Sequence, residues 1–477
     1  MSNMLSTPHT APLRSPQRRT LLRAIVSLSL PGALAACGGG SISFGGGVDP
    51  APTPVNQTLP GTAAMKARTF NGGWAVLAEK LLPLANVIRP ERQLVLTDAD
   101  TLRTSTYKPP AGWSLLDFAV HPSTDITVVL GTDRAVRLVR LSRHGATLAQ
   151  GDFTDALAAT DPYLGDPQQI RDSTALLPHA TRDAARISAM GEDVIMALRT
   201  GRNAVLAYRL RQTTGGGVQT VWRTLVEPGV TIGSVFLTSG TFDPFGGVVN
   251  QWHVHLGVDD RGAIAIAVNL NVTELLEGHI DYFKDGLDPS VASGVLVTRL
   301  DASGARLRTT LVDTVQKSEL HALRWVGNSV VVGGRVRTEQ SPDGHGWNGY
   351  LSVVQDNGPA LLRALPLNVD RGDVILDIAP MRDGRMLLAG ATGYWQNPAG
   401  ASISEEAAPL LAIADAQGRF VRRIAVTPGP RHNQLRSLAP WKSDWLLGGL
   451  YNGPGTHTAD GNPAQLFADG FVRQAAV

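Results

Sequence analysis

The sequence predicts an all-β fold, a seven-bladed β-propeller of four-stranded antiparallel blades, with six or eight blades as the lesser alternatives. Three observations predict it. A strand, a tight turn and a second, strongly apolar strand recur seven times down the chain. A second hairpin follows each copy. The units average about 59 residues, a propeller-blade period with generous loops. The clearest copy is residues 373–390, DVILDIAPMRDGRMLLAG, with its turn at Asp383-Gly384.

Before the repeats lies a leader. Arg18-Arg19 open a basic region, residues 24–34 are short and apolar with Pro31-Gly32 inside, and small residues follow. That order is the signal-peptide pattern. Leu34-Ala35-Ala36-Cys37 resembles a bacterial lipobox, and Cys37 is the one cysteine of the chain. The resemblance implies cleavage before Cys37 and a diacylglyceryl group on its sulfur. Gly38 in place of Asp implies an outer-membrane anchor. Residues 17–23, QRRTLLR, also resemble a twin-arginine export signal, with the general secretory route as the alternative. Residues 1–36 are therefore expected to be a lipoprotein signal peptide. Residues 37–61, rich in Gly triplets and alternating Pro, are expected to be a flexible tether. The propeller is expected over 62–477.

The first hairpins of the seven units begin at Ala64, Leu115, Ala184, His253, Glu319, Val374 and Asn433. Their second strands are nearly all Val, Ile, Leu and Ala, as strands buried on both faces require. Asp, Asn, Ser and Gly hold the turns. The clearest second hairpins begin at Gly294, Tyr350, Pro409 and Gln465. A lone four-stranded sheet cannot bury both faces. Stacking blades around an axis does so and leaves only short edges. A pair of sandwiches is the rival fold. The repeats resemble those of bacterial cell-surface propellers with degenerate SBBP-type repeats, most closely at residues 294–312. That resemblance implies a propeller outside the cytoplasm and carries no catalytic residues with it.

Composition excludes several classes. With 43% hydrophobic and 18% charged residues, the chain suits a large packed core. The net charge of +2 includes Arg14, Arg18, Arg19 and Arg23 of the leader, so the body without them stands at −2. Nothing points to nucleic acid. No stretch after residue 40 is apolar for long enough to span a bilayer.

Aligned on their first turns, the units share one polar column: Lys66, Asp117, Arg186, His255, His321, Asp377 and Arg436, with a one-residue allowance at Asp117 and Arg436. First strands line a propeller's axis, so this column should form a ring of mixed charge, set toward the mouth opposite the first turns. The ring could bind an anionic or zwitterionic ligand, or simply be solvated. His253 and His255 alternate on one strand. Without a placed carboxylate or Cys beside them and His321, no metal site is assigned. Asp281, Asp285 and Asp288 lack the spacing of a calcium loop. No cofactor is expected.

Long connections at 153–183, 227–250, 271–293, 338–348, 392–408 and 451–464 should open on one face. They carry Tyr282, Phe283, His345, Trp347, Tyr394, Trp395, Tyr451 and His457. Aromatics among polar loop residues suit a binding surface. The expected function is therefore a membrane-anchored, extracytoplasmic binding or scaffolding propeller. It would be a monomer, held to the membrane through Cys37, with an envelope protein or glycan as partner. The alternative is a hydrolase or lyase using His255, His321, Asp117 and Asp377 as acid–base groups. Neutralisation of His321 and Asp377 by Arg186, Arg436 or Lys66 would count against that alternative.

Overall fold

A computed structural model describes residues 55–80, 91–132, 135–153, 185–199, 205–213, 215–227, 242–243, 247–248, 254–271, 293–314, 318–337, 347–367, 369–370, 372–393, 407–426, 433–451 and 469–477. The expected signal peptide, Cys37 and most of the expected tether lie outside these residues.

The described residues form seven sheets of at least four strands and one two-stranded ribbon, Phe242–Asp243 with Gly247–Val248. The innermost strands are Ala63–Phe70, Ser114–Val120, Ala185–Met190, Val254–Val258, Ser318–Val326, Val374–Pro380 and Gln434–Trp441. Each touches the innermost strands of both neighbouring blades, which closes the ring. The chain is a seven-bladed β-propeller. Second strands such as Ile126–Gly131 and Met386–Thr392 are buried throughout, as their unbroken apolar composition requires.

The core is divided by blade boundary. Seven apolar clusters each join one blade to the next. At the seam between the last blade and the first, Trp74 meets Trp441 edge to face, with ring centroids 5.3 Å apart.

Ring closure departs from the expected pattern. Residues from Gln465 were expected to make a hairpin. Instead Asp469–Ala475 is the third strand of the last blade. The fourth is Asn56–Leu59 from the start of the body, antiparallel to it with Asn56 opposite Arg473 and Leu59 opposite Gly470. These four residues fall inside the stretch expected to be tether. The last blade would otherwise end in an open edge, and the start of the body fills it. The Gln57 amide oxygen accepts from Trp74 Nε1 at 2.9 Å, tying the closing strand to the first blade.

The outer strand of the fifth blade is split. Leu361–Arg363 pairs in parallel with Arg306–Asp313 of the fourth blade, while Leu365–Leu367 pairs with Trp347–Val354 of its own. The two blades are thus stitched at the rim. Outer turns follow the sequence signal: the Asp301 carboxylate accepts from the N–H of Ser303 and of Ala305 at 2.8 and 2.9 Å, and Gly304 supplies φ of 84°.

Five innermost strands carry a β-bulge at the same height, with the extra residue at Met65, Leu116, His321, Leu376 and Arg436. In the last three blades a glycine of the second strand, Gly334, Gly390 or Gly449, pairs with the residue just before the bulge. A Cβ there would stand 1.8 Å from Glu319 O, 1.8 Å from Val374 O and 2.1 Å from Gln434 O respectively. Only glycine permits this approach. The adjacent Gly448 is different: its nearest neighbour is Ser437 Cβ at an ordinary 3.4 Å. Gly449→Ala is therefore expected to lower stability by about 1–3 kcal/mol, and Gly448→Ala to leave it nearly unchanged. Equal denaturation midpoints for the two variants would contradict the bulge geometry.

Candidate functional site

All seven residues of the polar column line one central cavity of about 860 Å³. Two details differ from the sequence expectation. The column stands near mid-length of the inner strands: Asp377 lies midway along Val374–Pro380. The bulges also shift its register. Lys66, Asp117 and Asp377 directly follow their bulges, whereas His321 and Arg436 are the bulge residues themselves. The structural equivalents in the fifth and last blades are Ala322 and Ser437. Counted back from the turn, Lys66, Ala322 and Ser437 each stand four residues before the end of their strand, and the bulge lies beyond them; the ionisable His321 and Arg436 occupy the next position.

The column holds the blades together. Innermost strands are sheet edges, so alternate N–H and C=O groups point to the axis without a ladder partner. Side chains of the preceding blade supply those partners. Lys66 Nζ donates to Phe118 O at 2.8 Å. Asp117 Oδ2 accepts the N–H of Ile187 at 3.0 Å. His255 Nε2 meets Leu320 O at 3.1 Å. Arg324 Nε donates to Ile378 O at 3.0 Å. Asp377 Oδ2 accepts the N–H of Leu438 at 2.9 Å, and Ser437 Oγ accepts that of Ala67 at 2.7 Å. Phe118, Ile378, Leu438 and Ala67 each directly follow the column position of a bulged blade.

Ion pairs run through the same column. Lys66 Nζ lies 2.6 Å from Asp117 Oδ1, with Asp117 buried. Burial works against the Asp117 charge, but Lys66, Arg186 and the Ile187 N–H outweigh it and hold its carboxyl below the usual range. Asp377 takes Arg324 Nη2 at 2.8 Å and has Arg68 Nη1 at 3.9 Å. Arg68 and Arg324 were missed by the sequence reading. Both sit two residues beyond the column position of their blade, on the same side of the strand. A search at period two past Lys66 would have found Arg68; Arg324 lies three residues past His321 and two past Ala322, so its place depends on the bulge. Ser437 was missed because Arg436, the ionisable residue beside it, stood in its place in the sequence column.

The histidines are engaged. His321 Nε2 lies 3.4 Å from Glu319 Oε2, and Glu319 is paired with Arg335. Burial opposes the charge on Glu319, but Arg335 and His321 hold its carboxyl low. The buried Tyr350 hydroxyl is pushed up by burial and by Glu319. Arg436 Nε donates to Gln434 Oε1 at 2.9 Å and Arg186 Nη1 to Ala185 O at 3.3 Å. Among the described residues no group of three or more His, Cys, Asp or Glu is placed to hold a metal ion. His253 and the three aspartates of residues 281–288 lie outside the described residues. So do Tyr282, Phe283, His345, Tyr394, Trp395 and His457. Trp347 opens the strand Trp347–Val354. Tyr451 ends its strand and stacks on Phe471 at 5.9 Å between centroids.

The blades and their polar channel define the class, a seven-bladed β-propeller with a charged axis. No family model matches the chain, and no curated protein does. Solved structures do. The chain is similar to the WD40 repeats of RRP9 at 9% identity and a TM-score of 0.46, covering 88% of this chain and 99% of that one. It is similar to YCF48 bound to D1 peptide at 9% identity and 0.44, covering 90% and 99%. It is similar to the propeller domain of the Trilobed protease from Pyrococcus furiosus at 8% identity and 0.42, covering 87% and 94%.

Lys66 carries a pH signature. Burial lowers its pKa from 10.5 to about 8; Asp117 pulls it back up, while Arg68 and Arg186 push it further down. Between those values the unfolded chain holds a proton that the folded chain has released. Stability from this group therefore rises with pH from about 8 toward 10.5. The side chain is 21% exposed to the channel, which limits the effect to on the order of 2 kcal/mol. Lys66→Met should flatten the rise in a comparison of urea midpoints at pH 8 and pH 10. Parallel wild-type and variant profiles would refute the assignment.

Proposed function

We propose that this chain is a lipid-anchored protein of the bacterial cell envelope that binds and does not catalyse. Its loop-bearing mouth holds a partner protein or a saccharide-like ligand. The observation that carries this reading is the employment of the channel carboxylates. Asp117 and Asp377 each hold a cation and a backbone N–H of the next blade. A general acid or base needs an oxygen within reach of substrate. Moving a proton on or off either group would break a blade contact. His255 and His321 are likewise committed to Leu320 O and Glu319. These engagements weigh against the hydrolase or lyase alternative.

The loop face follows from strand order. In an antiparallel blade, the second-to-third connections and the inter-blade links emerge on the face opposite the tight first turns, and the aromatic-bearing segments are all of these two kinds. The anchoring half of the proposal rests on Cys37 and the lipobox resemblance.

The full chain, recovered from envelope extract by affinity tag with mass detection of proteins and glycans, is expected to bring down a discrete partner. Replacing Trp347 and Trp395 with Ala should weaken that capture without changing the unfolding temperature. Cys37→Ser should leave the chain in the soluble fraction with capture intact. Identical capture by the Trp variants, or turnover of a captured glycan, would overturn the reading.

A further inference from the structure

We propose that the central channel is an oxyanion site, in which Arg68 and Arg324, backed by Lys66, hold a phosphate-class group, free or carried on a sugar. The inference deepens the binding reading above and rests on it for the carried form of the ligand.

The charges at Asp377 are out of balance. One carboxylate faces two guanidiniums on different blades. Arg324 makes the close contact at 2.8 Å and also donates to Ile378 O. That alone satisfies the blade junction. Arg68 stands 3.9 Å from the same carboxylate, beyond hydrogen-bond distance, and donates instead to the adjacent Ala67 O at 2.7 Å. Both side chains line the cavity and remain about a quarter exposed, at 27% and 26%. Nothing in the blade junction requires Arg68 there.

Holding two guanidiniums together costs free energy. Burial lowers the Arg68 pKa to about 10, and repulsion from Arg324 is the next largest cause, ahead of the opposing pull of Asp377. Lys66 feels the same field from Arg68 and Arg186, against Asp117. Among Lys66, Arg68, Arg324, Asp117 and Asp377, three positive charges meet two negative ones in a low-dielectric channel, which concentrates the potential. An oxyanion between the guanidiniums converts their repulsion into two attractions. Guanidinium forks match the geometry of phosphate oxygens. The cavity volume of about 860 Å³ admits a phosphosugar as well as the bare ion.

The test is calorimetric titration of the full chain in detergent micelles at pH 7.5, with inorganic phosphate in one arm and glucose 1-phosphate in the other. Glucose alone is the control. Saturable binding of at least one phosphate probe at one site per chain, weakened by added salt, is expected. Arg68→Gln should weaken it at least tenfold. Arg137→Gln, which alters an outer-strand pair with Asp152, should leave it unchanged. Tighter binding of glucose 1-phosphate than of phosphate assigns the carried form, and equal binding the free form. Arg324→Gln should act as Arg68→Gln does; because Arg324 also braces a blade junction, its folding is checked by circular dichroism, and Arg68→Gln decides if it unfolds. Failure of both probes to saturate, or wild-type affinity in Arg68→Gln, would overturn the proposal. The loop-face reading is tested separately by capture through Trp347 and Trp395, so either can fail while the other stands.

Discussion

The structure depends on how seven sheet edges are kept satisfied where they meet at the axis. Each blade presents its innermost strand edge-on to the channel, and half of that strand's backbone groups point inward without a ladder partner. Water could satisfy them, but water does not join one blade to the next. A side chain from the preceding blade does both. Asp117 reaching Ile187, Asp377 reaching Leu438 and Ser437 reaching Ala67 are the same device built from different residues. Lys66 and Arg324 use the opposite polarity, donating to Phe118 O and Ile378 O. The requirement is for a hydrogen-bonding side chain of suitable reach, so its sign varies from blade to blade. That explains a column that is polar in every blade but the fifth, where Ala322 stands, yet mixed in charge.

This division of labour shapes what the channel can do. The carboxylates are spent on blade junctions, each partly neutralised where it sits. Arg68 and Arg324, two residues further along the first and fifth inner strands, face the cavity with more of their surface open. The rim is built by different means: apolar clusters at every boundary, the split outer strand of the fifth blade, and the Gln57–Trp74 bond at the closing seam.

The repeat was legible because each second strand is buried on both faces, which writes an unbroken apolar run such as Ile126–Gly131 into the sequence. The polar column was legible because it lies at a near-constant distance from a turn marked by Gly and Asp. What hid the register in the fifth and last blades was the bulge residue itself, His321 or Arg436, whose ionisable side chain stands next to the column position. Its trace is indirect: the glycines at 334, 390 and 449, which let the second strand approach the kink. The closing strand was illegible for another reason. Asn56–Leu59 has four residues, one buried apolar side chain and no alternation, so its strand identity comes from the edge it completes. Arg68 lay at period two past Lys66 and Arg324 three residues past His321, but their meeting at Asp377 requires blades adjacent in space and distant in sequence.

Amide hydrogen exchange at Ala67, Ile187 and Leu438 tests the junction device most directly. All three should be strongly protected in the wild-type chain, although each lies on a sheet edge facing the channel. Ser437→Ala, Asp117→Ala and Asp377→Ala should each release the inter-blade amide its side chain accepts, and leave the other two protected. Exchange of these amides at the rate of exposed loop residues in the wild type, or a uniform loss of protection in every variant, would contradict the account.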